Sequence, residues 1–246
     1  MFALLSTPRY LTYAMKFTPP LVRGRLIRRY KRFLSDIELT NGEQITAHIA
    51  NPGAMTGLAE PGMEVWLSKS DNPKRKLTYS WELVRVGRHL VGINTSLTNK
   101  LAEEALAQDA IPELSGYDTI RREVRYGTNS RVDFLLTAKR RKDCYVEIKH
   151  VTLKRGQMAD FPDSVTARGT KHLNELAKMT QAGARAVMLY IVPRRDCRAF
   201  SVAADIDPAY AEALAIARTH GVEVLCYVCR ITTRGIRVEN PLKIAI

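Results

Sequence analysis

The hydrophobic pattern of this chain changes period once, near Gly92, and that change separates two kinds of structure. Between Lys16 and Arg88, β-favouring runs (LVRGRLIRRYKRFLSDIEL, EQITAHIA, MEVWLSKS, LTYSWELVRVG) alternate with the separators NGE, NPG, EPG and DNPK. Gly, Pro and Asn in those separators reverse the chain, so the segment predicts a small all-β sandwich or barrel. Beyond Gly92 the spacing becomes helical. Leu97, Leu101, Ala102, Ala105 and Leu106 share one stripe, with Thr95 or Ser96 as cap candidates. Two more helices are predicted, over TKHLNELAKMTQAGA with Gly183 past its end, and over DPAYAEALAIARTHG with Asp207 as cap, Pro208 at the first position and Gly221 beyond. Strand-like runs surround them: TIRREVRYG, RVDFLL, CYVEIKHVTL, AVMLYIVP and VEVLCYVCRITTRGIRVEN, with a hairpin at TTRG. The expected fold is α/β with an all-β N-terminal part: a small barrel over 15–90, then a mixed-sheet α/β domain over 91–246. Residues 1–14 read as an extension, since they lack the apolar run and cleavage site of a signal peptide, and Met15 is a second candidate start.

Lys and Arg total 38 against 25 Asp and Glu, a net charge of +13. Such an excess opposes compaction and points to a polyanionic partner, DNA or another nucleic acid first. In the first β run Arg23, Arg25, Arg29, Lys31 and Arg32 interleave with Tyr30 and Phe33, a cationic and partly aromatic surface suited to a nucleic-acid backbone; a solvated edge strand carries the same pattern. No stretch offers about 20 consecutive apolar residues, and no membrane partner is expected. Four cysteines without an export signal point to the reducing cytoplasm, without disulfides. Cys226 and Cys229 stand three apart on a predicted strand and face opposite sides, and no second CxxC or paired His completes a zinc site. No helix-turn-helix or zinc-finger spacing appears, so DNA binding is expected to be largely independent of sequence, with RNA or single strands as alternative ligands. Oligomeric state has no visible determinant.

Charge inside the buried-looking runs is the strongest functional signal. In YVEIK, Glu147 and Lys149 share one strand face while Val146 and Ile148 share the other; in VDFLL, Asp133 is expected to face away from Val132 and Phe134. A carboxylate withdrawn from water needs a compensating partner. If the two strands pair across TAKRRKD, Asp133 and Glu147 converge as oxygen ligands for Mg²⁺ or Mn²⁺, and Lys149 beside them stabilises charge on a phosphate. That is phosphodiester hydrolysis. An ion pair between Asp133 and Lys149 or a nearby arginine accounts for the same spacing without metal.

RVDFLL and YVEIKHVTL, followed by FPDSVTARGTKHLNEL and preceded by RKLTYSWELV and INTSLTNKLAEEAL, resemble the sugar fermentation stimulation protein A family from about Met15 to the C-terminus. The resemblance implies an OB-fold-like barrel followed by a domain similar to the PD-(D/E)XK nucleases, in DNA-binding proteins linked to regulation of sugar (maltose) metabolism. Asp133, Glu147 and Lys149 then map onto the nuclease motif, although Val132 stands where many such nucleases carry Pro. A non-catalytic DNA-binding regulator that keeps the nuclease scaffold is the alternative. Relatives of the nuclease fold add a carboxylate from the first helix, and Glu104, at the edge of the apolar stripe, is preferred here to Glu103. Arg168, His172 and Glu175 fall on one polar helix face with Lys171 beside them. Arg168, Lys171 and His172 are read as phosphate contacts, with a structural His172 as the alternative. The turn HIANPGAM and the basic tip PKRK are weaker candidate contacts.

Overall fold

A computed structural model describes residues 15–127 and 130–246. The expected extension over residues 1–14 lies outside the described residues. The strands are β1 (Met15–Lys16), β2 (Val22–Tyr30), β3 (Leu34–Leu39), β4 (Gln44–His48), β5 (Glu64–Lys69), β6 (Tyr79–Val86), β7 (His89–Gly92), β8 (Thr119–Tyr126), β9 (Ser130–Thr137), β10 (Cys144–His150), β11 (Leu153–Arg155), β12 (Met158–Phe161), β13 (Arg185–Val192), β14 (Ala199–Val202), β15 (Glu223–Thr232), β16 (Gly235–Pro241) and β17 (Lys243–Ile244). The helices are α1 (Thr98–Ala107), α2 (Ala167–Gln181) and α3 (Pro208–Thr219).

The first long β run divides into two strands. Lys31 and Arg32 both take positive φ, 46° and 65°, and this left-handed pair turns β2 back on β3, so Lys31 stands in the turn rather than on a strand. Six strands follow the order β4-β3-β2-β5-β6-β7, and the parallel pairing of β4 with β6 closes them into the expected OB-like barrel. Leu26, Ile37, Val65, Leu67, Trp81 and Val84 fill its interior.

The second part is a mixed seven-stranded sheet, β1-β16-β15-β13-β10-β9-β8, in which β10, β13 and β15 run parallel. Its β13 is buried along nearly its whole length because both faces are covered. One face packs on α1 and on Trp66 and Leu83 of the barrel; the other packs on α2 and α3. Cys229 lies in the first of these cores and Cys226 in the second, the opposed placement that strand geometry requires. Helix α3 starts as its sequence predicts, with Asp207 accepting from Tyr210 N–H at 3.0 Å. Helix α1 differs: neither Thr95 nor Ser96 caps it, and Asn94 instead caps a short 3-10 turn that leads into it. Residues 15 and 16 pair with the edge of the large sheet at Ile236 and Gly235 rather than with the barrel. A small second sheet, β11-β12-β14-β17, has no counterpart in the sequence reading. Among the described residues no helix is long and apolar enough to cross a membrane.

Candidate active site

Strands β9 and β10 pair through Cys144↔Leu136, Tyr145↔Leu135 and Val146↔Phe134, and the ladder stops there. A side chain takes over: Ile148 N–H donates to Asp133 Oδ2 at 2.7 Å, while Asn99 Nδ2, from the first turn of α1, donates to Oδ1 at 2.8 Å. The simple alternation expected around Asp133 fails for this reason. Val132 packs on the α2 side of the sheet and Phe134 on the α1 side, so the strand rotates at Asp133. Its neighbour β8 rotates with it. Glu123 lies opposite Asp133, between the pairs Arg122↔Phe134 and Val124↔Val132, and has φ of 52°. Left-handed backbone at a residue with a side chain is strained and collects at functional sites.

Glu147 and Lys149 share one face of β10, as their spacing predicts, and that face meets α2. Glu147 is 2% exposed. Lys149 Nζ donates to its Oε1 at 2.8 Å, and His172 Nδ1 contacts the same oxygen. Glu147 Oε2 is buried with no hydrogen-bond partner. His172 Nδ1 cannot both donate to Glu147 and accept from Lys149 at 3.5 Å. The shorter contact to the carboxylate assigns the N–H to Nδ1, leaving Nε2 to accept from Arg168 Nε at 3.4 Å.

The two carboxylates are held in opposite electrostatic states. Burial raises the Asp133 carboxyl above its ordinary range, and the nearby charge of Glu147 raises it further against the Ile148 and Asn99 hydrogen bonds. Burial also pushes Glu147 up, but the His172 hydrogen bond and the Lys149 charge outweigh it and hold this carboxyl below its usual value. Glu147 is therefore the fixed anion of the pair.

The structure brings Asp133, Glu147, Lys149 and His172 together and leaves other predicted residues elsewhere. Glu104 is not part of the cluster: it accepts from Gln108 Nε2 at 3.4 Å and faces a separate cleft of about 510 Å³ with Tyr227, Arg237 and Glu239. Asn99, one turn before Glu103, is the α1 residue that reaches Asp133. His172 is buried and contacts the Glu147 carboxylate rather than lying exposed beside Arg168 and Lys171. Arg168 and Lys171 are exposed at the start of α2. On the barrel, Arg23 pairs with Glu64, and Arg25 donates to Gly62 O at 3.2 Å. The turn at Asn51, Pro52 and Gly53 is fixed by Asn51 itself, which donates to Ile93 O and accepts from Gly53 N–H, and it lines a cleft of about 320 Å³ together with Arg32 and His150. His150 Nδ1 meets Thr98 Oγ1 at 2.8 Å, and burial lowers this imidazole to about 4.

Two family models cover most of the chain: "SfsA N-terminal OB domain" matches residues 27–93 and "Sugar fermentation stimulation protein RE domain" matches residues 96–235. The chain belongs to the sugar fermentation stimulation protein family. A sugar fermentation stimulation protein homolog of Paramagnetospirillum magneticum is 58% identical over 93% of this chain and 97% of its own length, and one of Maricaulis maris is 53% identical over 94% and 99%. The solved structure of Pyrococcus furiosus SfsA in complex with Ca²⁺ is 27% identical, with a TM-score of 0.86 over 96% of this chain and all of that one. The FPDSVTARGTKHLNEL block of this family member has a visible physical task. Thr166 caps α2 by accepting from Gly169 N–H, Asp163 accepts from Met55 N–H of the barrel at 3.3 Å, and His172 holds Glu147. Sequence reasoning missed Asn99, which reaches Asp133. Asn99 sits inside INTSLTNKLAEEAL, where attention to acidic residues alone passes over an amide donor.

Proposed function

We propose that this member of the sugar fermentation stimulation protein family is a DNA-binding protein, acting in the cytoplasm and largely without sequence preference, that hydrolyses phosphodiester bonds at Asp133, Glu147 and Lys149 with Mg²⁺ or Mn²⁺. One observation carries the reading: a buried carboxylate, Glu147, fixed through one oxygen by Lys149 and His172 while the other oxygen has no partner. A polar atom left open in that way costs folding free energy, and bound cation or water removes the cost. The donor set also suits a hard dication. Each Asp133 oxygen keeps acceptor capacity after its single hydrogen bond, and Mg²⁺ takes one or two carboxylates and keeps several waters. The P. furiosus relative was solved in complex with Ca²⁺, which supports a dication as a ligand of this chain.

When bound, the ion supplies charge neutralisation and a more acidic water. The chain's own residues then divide the remaining work. Asn99 and the Ile148 N–H orient Asp133, and His172 orients Glu147. Lys149 keeps Glu147 ionised and presents positive charge to a phosphate, while Arg168 and Lys171 at the exposed start of α2 and the basic barrel surface, with Arg23, Arg25 and Lys31, hold the backbone. We assign backbone grip to residues 15–90 and chemistry to residues 91–246.

A specific observation favours a second reading, the non-catalytic DNA-binding regulator of sugar metabolism genes. Lys149 and His172 both close on Glu147 Oε1, and among the described residues no three His, Cys, Asp or Glu side chains are grouped to hold an ion. Metal-dependent turnover separates the two. With Mg²⁺ or Mn²⁺ the wild-type chain is expected to cut DNA, and Asp133→Asn and Glu147→Gln to lower cutting by about a thousandfold, roughly 4 kcal/mol of barrier, without loss of binding. Binding without turnover in the wild type leaves the regulator.

A further inference from the structure

We propose that Val165 is an apolar wedge that enters the base stack of a bound DNA duplex beside the Asp133 and Glu147 cluster and bends it. Among the described residues Val165 is the most exposed large hydrophobic side chain, at 75% against 40–47% for Phe33, Ile216 and Ile246. A single apolar side chain on a surface is ordinary. Its place is not. Thr166 caps α2, so Val165 holds the position just before the cap, where an apolar residue commonly packs on the fourth residue of the helix. That residue here is Thr170, whose hydroxyl turns back to Thr166 O at 3.4 Å, and Val165 stays open to solvent. The backbone is held on both sides of it. Asp163 accepts from Met55 N–H of the barrel, and a Cβ on Gly53 would lie 2.3 Å from that carboxylate, so the barrel turn lies against this loop. Thr166 N–H donates to Asp207 Oδ2 at 2.7 Å, and Thr166 Oγ1 accepts from Gly169 N–H at 3.1 Å. Branching at Cβ restricts the side chain as well. Val165 is thus presented with little freedom left to lose on insertion.

The surroundings indicate what would cover it. Arg32 and Val165 line the same cleft of about 320 Å³, and Arg168 and Lys171 are exposed in the first two turns of α2. The carboxylates of that cleft are engaged, Asp163 by Met55 N–H and Asp160 by Arg155 and Ser201. Cations around a rigid apolar tip suit a polyanion with an apolar interior, and stacked bases are one. A bilayer or an apolar pocket of another protein calls for a patch, whereas the chain neighbours of Val165, Ser164 and Thr166, are polar. One side chain is enough to part a base step, and an apolar residue inserted there partly unstacks the bases and kinks the duplex. Helix α2 begins two residues after Val165 and carries His172 in its second turn. The wedge therefore stands roughly 10 Å along the helix from the residue that contacts Glu147, about three base steps. The proposal rests on the reading of this chain as a DNA-binding protein and adds that the duplex is bent where it meets the carboxylates.

Short duplexes carrying 2-aminopurine at pyrimidine–purine steps, which unstack most readily, test this with the full chain, with and without Ca²⁺. Anisotropy reads binding and 2-aminopurine fluorescence reads unstacking, so the two claims are separated in one titration. Binding of the wild type is expected to raise the fluorescence severalfold. With Val165→Ser that rise is expected to be lost, while the dependence of binding on salt stays the same because no cation is removed. Val165→Leu keeps the rise. The wild type is also expected to bind a duplex rich in TA steps several times more tightly than a stiff A-tract duplex, a preference that Val165→Ser abolishes. Wild-type binding without a rise, or a rise that Val165→Ser retains, overturns the wedge and leaves the DNA reading standing. Absence of wild-type binding under both conditions overturns the two together.

Discussion

The barrel and the α/β domain treat their buried polar atoms differently. In the barrel one such atom lacks a partner, Arg29 Nε, and it belongs to a guanidinium whose other nitrogens hold the carbonyls of Ala54, Arg32, Asn51 and Gly53. In the α/β domain Tyr126 Oη, Ser130 Oγ, Glu147 Oε2, His150 Nε2 and Glu239 Oε2 are buried without a hydrogen-bond partner among the described residues; the last faces Arg195 in an ion pair, and the first three lie on the α2 side of strands β8 to β10. A native chain seldom leaves such groups unsatisfied, because each costs about 1–3 kcal/mol. The barrel spends its arginines on its own loops. The second domain leaves several buried polar atoms without a partner, which is the ground for proposing the chemistry there even though the barrel carries the more conspicuous run of positive charge.

The largest expected effect concerns His150. Its buried imidazole titrates near 4, against 6.5 in an unfolded chain. A base whose folded value is depressed stabilises the fold fully above the unfolded value, and that contribution is lost as pH falls from about 6.5 toward 4. The loss amounts to up to roughly 3 kcal/mol. Asp133 works in the opposite direction, since its raised value makes ionisation costly as pH rises through the acidic range, so comparison must be against a variant and not against pH alone. Urea unfolding of His150→Gln at pH 6.5 and pH 4 is expected to show that difference removed. If wild type and variant weaken equally, the open imidazole is not buried in the way described, and the contrast between the two domains narrows.

Arg29→Ala comes next. Its guanidinium joins the end of β2 to the Asn51–Ala54 turn, so its removal frees four carbonyls, those of Asn51 and Gly53 in part-buried surroundings, an expected cost of about 2 kcal/mol that salt hardly changes. Arg125→Ala has no such bonds to lose and is expected to stay within about 0.5 kcal/mol of wild type. Equal destabilisation by the two would remove the distinction between structural and free arginines.

How far the sequence discloses this arrangement follows from what each feature depends on. The change of period near Gly92 and the Asp207, Pro208 and Gly221 signals of α3 are local, and they survive into the structure because helix and strand spacing are properties of a few adjacent residues. The shared face of Glu147 and Lys149 is local too, a matter of strand alternation. The side of Asp133 is not, because the rotation there needs Glu123 from another strand and Asn99 from α1. Choosing Glu104 failed for the same reason: a helical wheel gives the angle of a residue but not the element it faces. Strands β11, β12, β14 and β17 are two to four residues long and are held by partners far along the chain, so no periodic signal marks them.

Arg23 and Arg25 carry the smallest and most discriminating prediction. Both are among the nucleic-acid contacts that the sequence predicts, yet Arg23 is tied to Glu64 and Arg25 to the Gly62 carbonyl. An ion pair exposed to water contributes between 0 and about 1 kcal/mol, so the double change Arg23→Ala/Arg25→Ala is expected to leave stability nearly unchanged. Its effect on DNA is the sharper measure. A guanidinium already facing Glu64 must exchange that carboxylate for a phosphate and gains less than one with no partner, so the salt slope is expected to fall by less than for Arg125→Ala/Arg131→Ala, two exposed arginines that face each other across β8 and β9. A fall as large as that of Arg125→Ala/Arg131→Ala shows that the ion pair with Glu64 does not keep the barrel ridge from the nucleic acid. The inward use of barrel arginines is then confined to Arg29, whose bonds to the Asn51–Ala54 turn do not depend on any ligand.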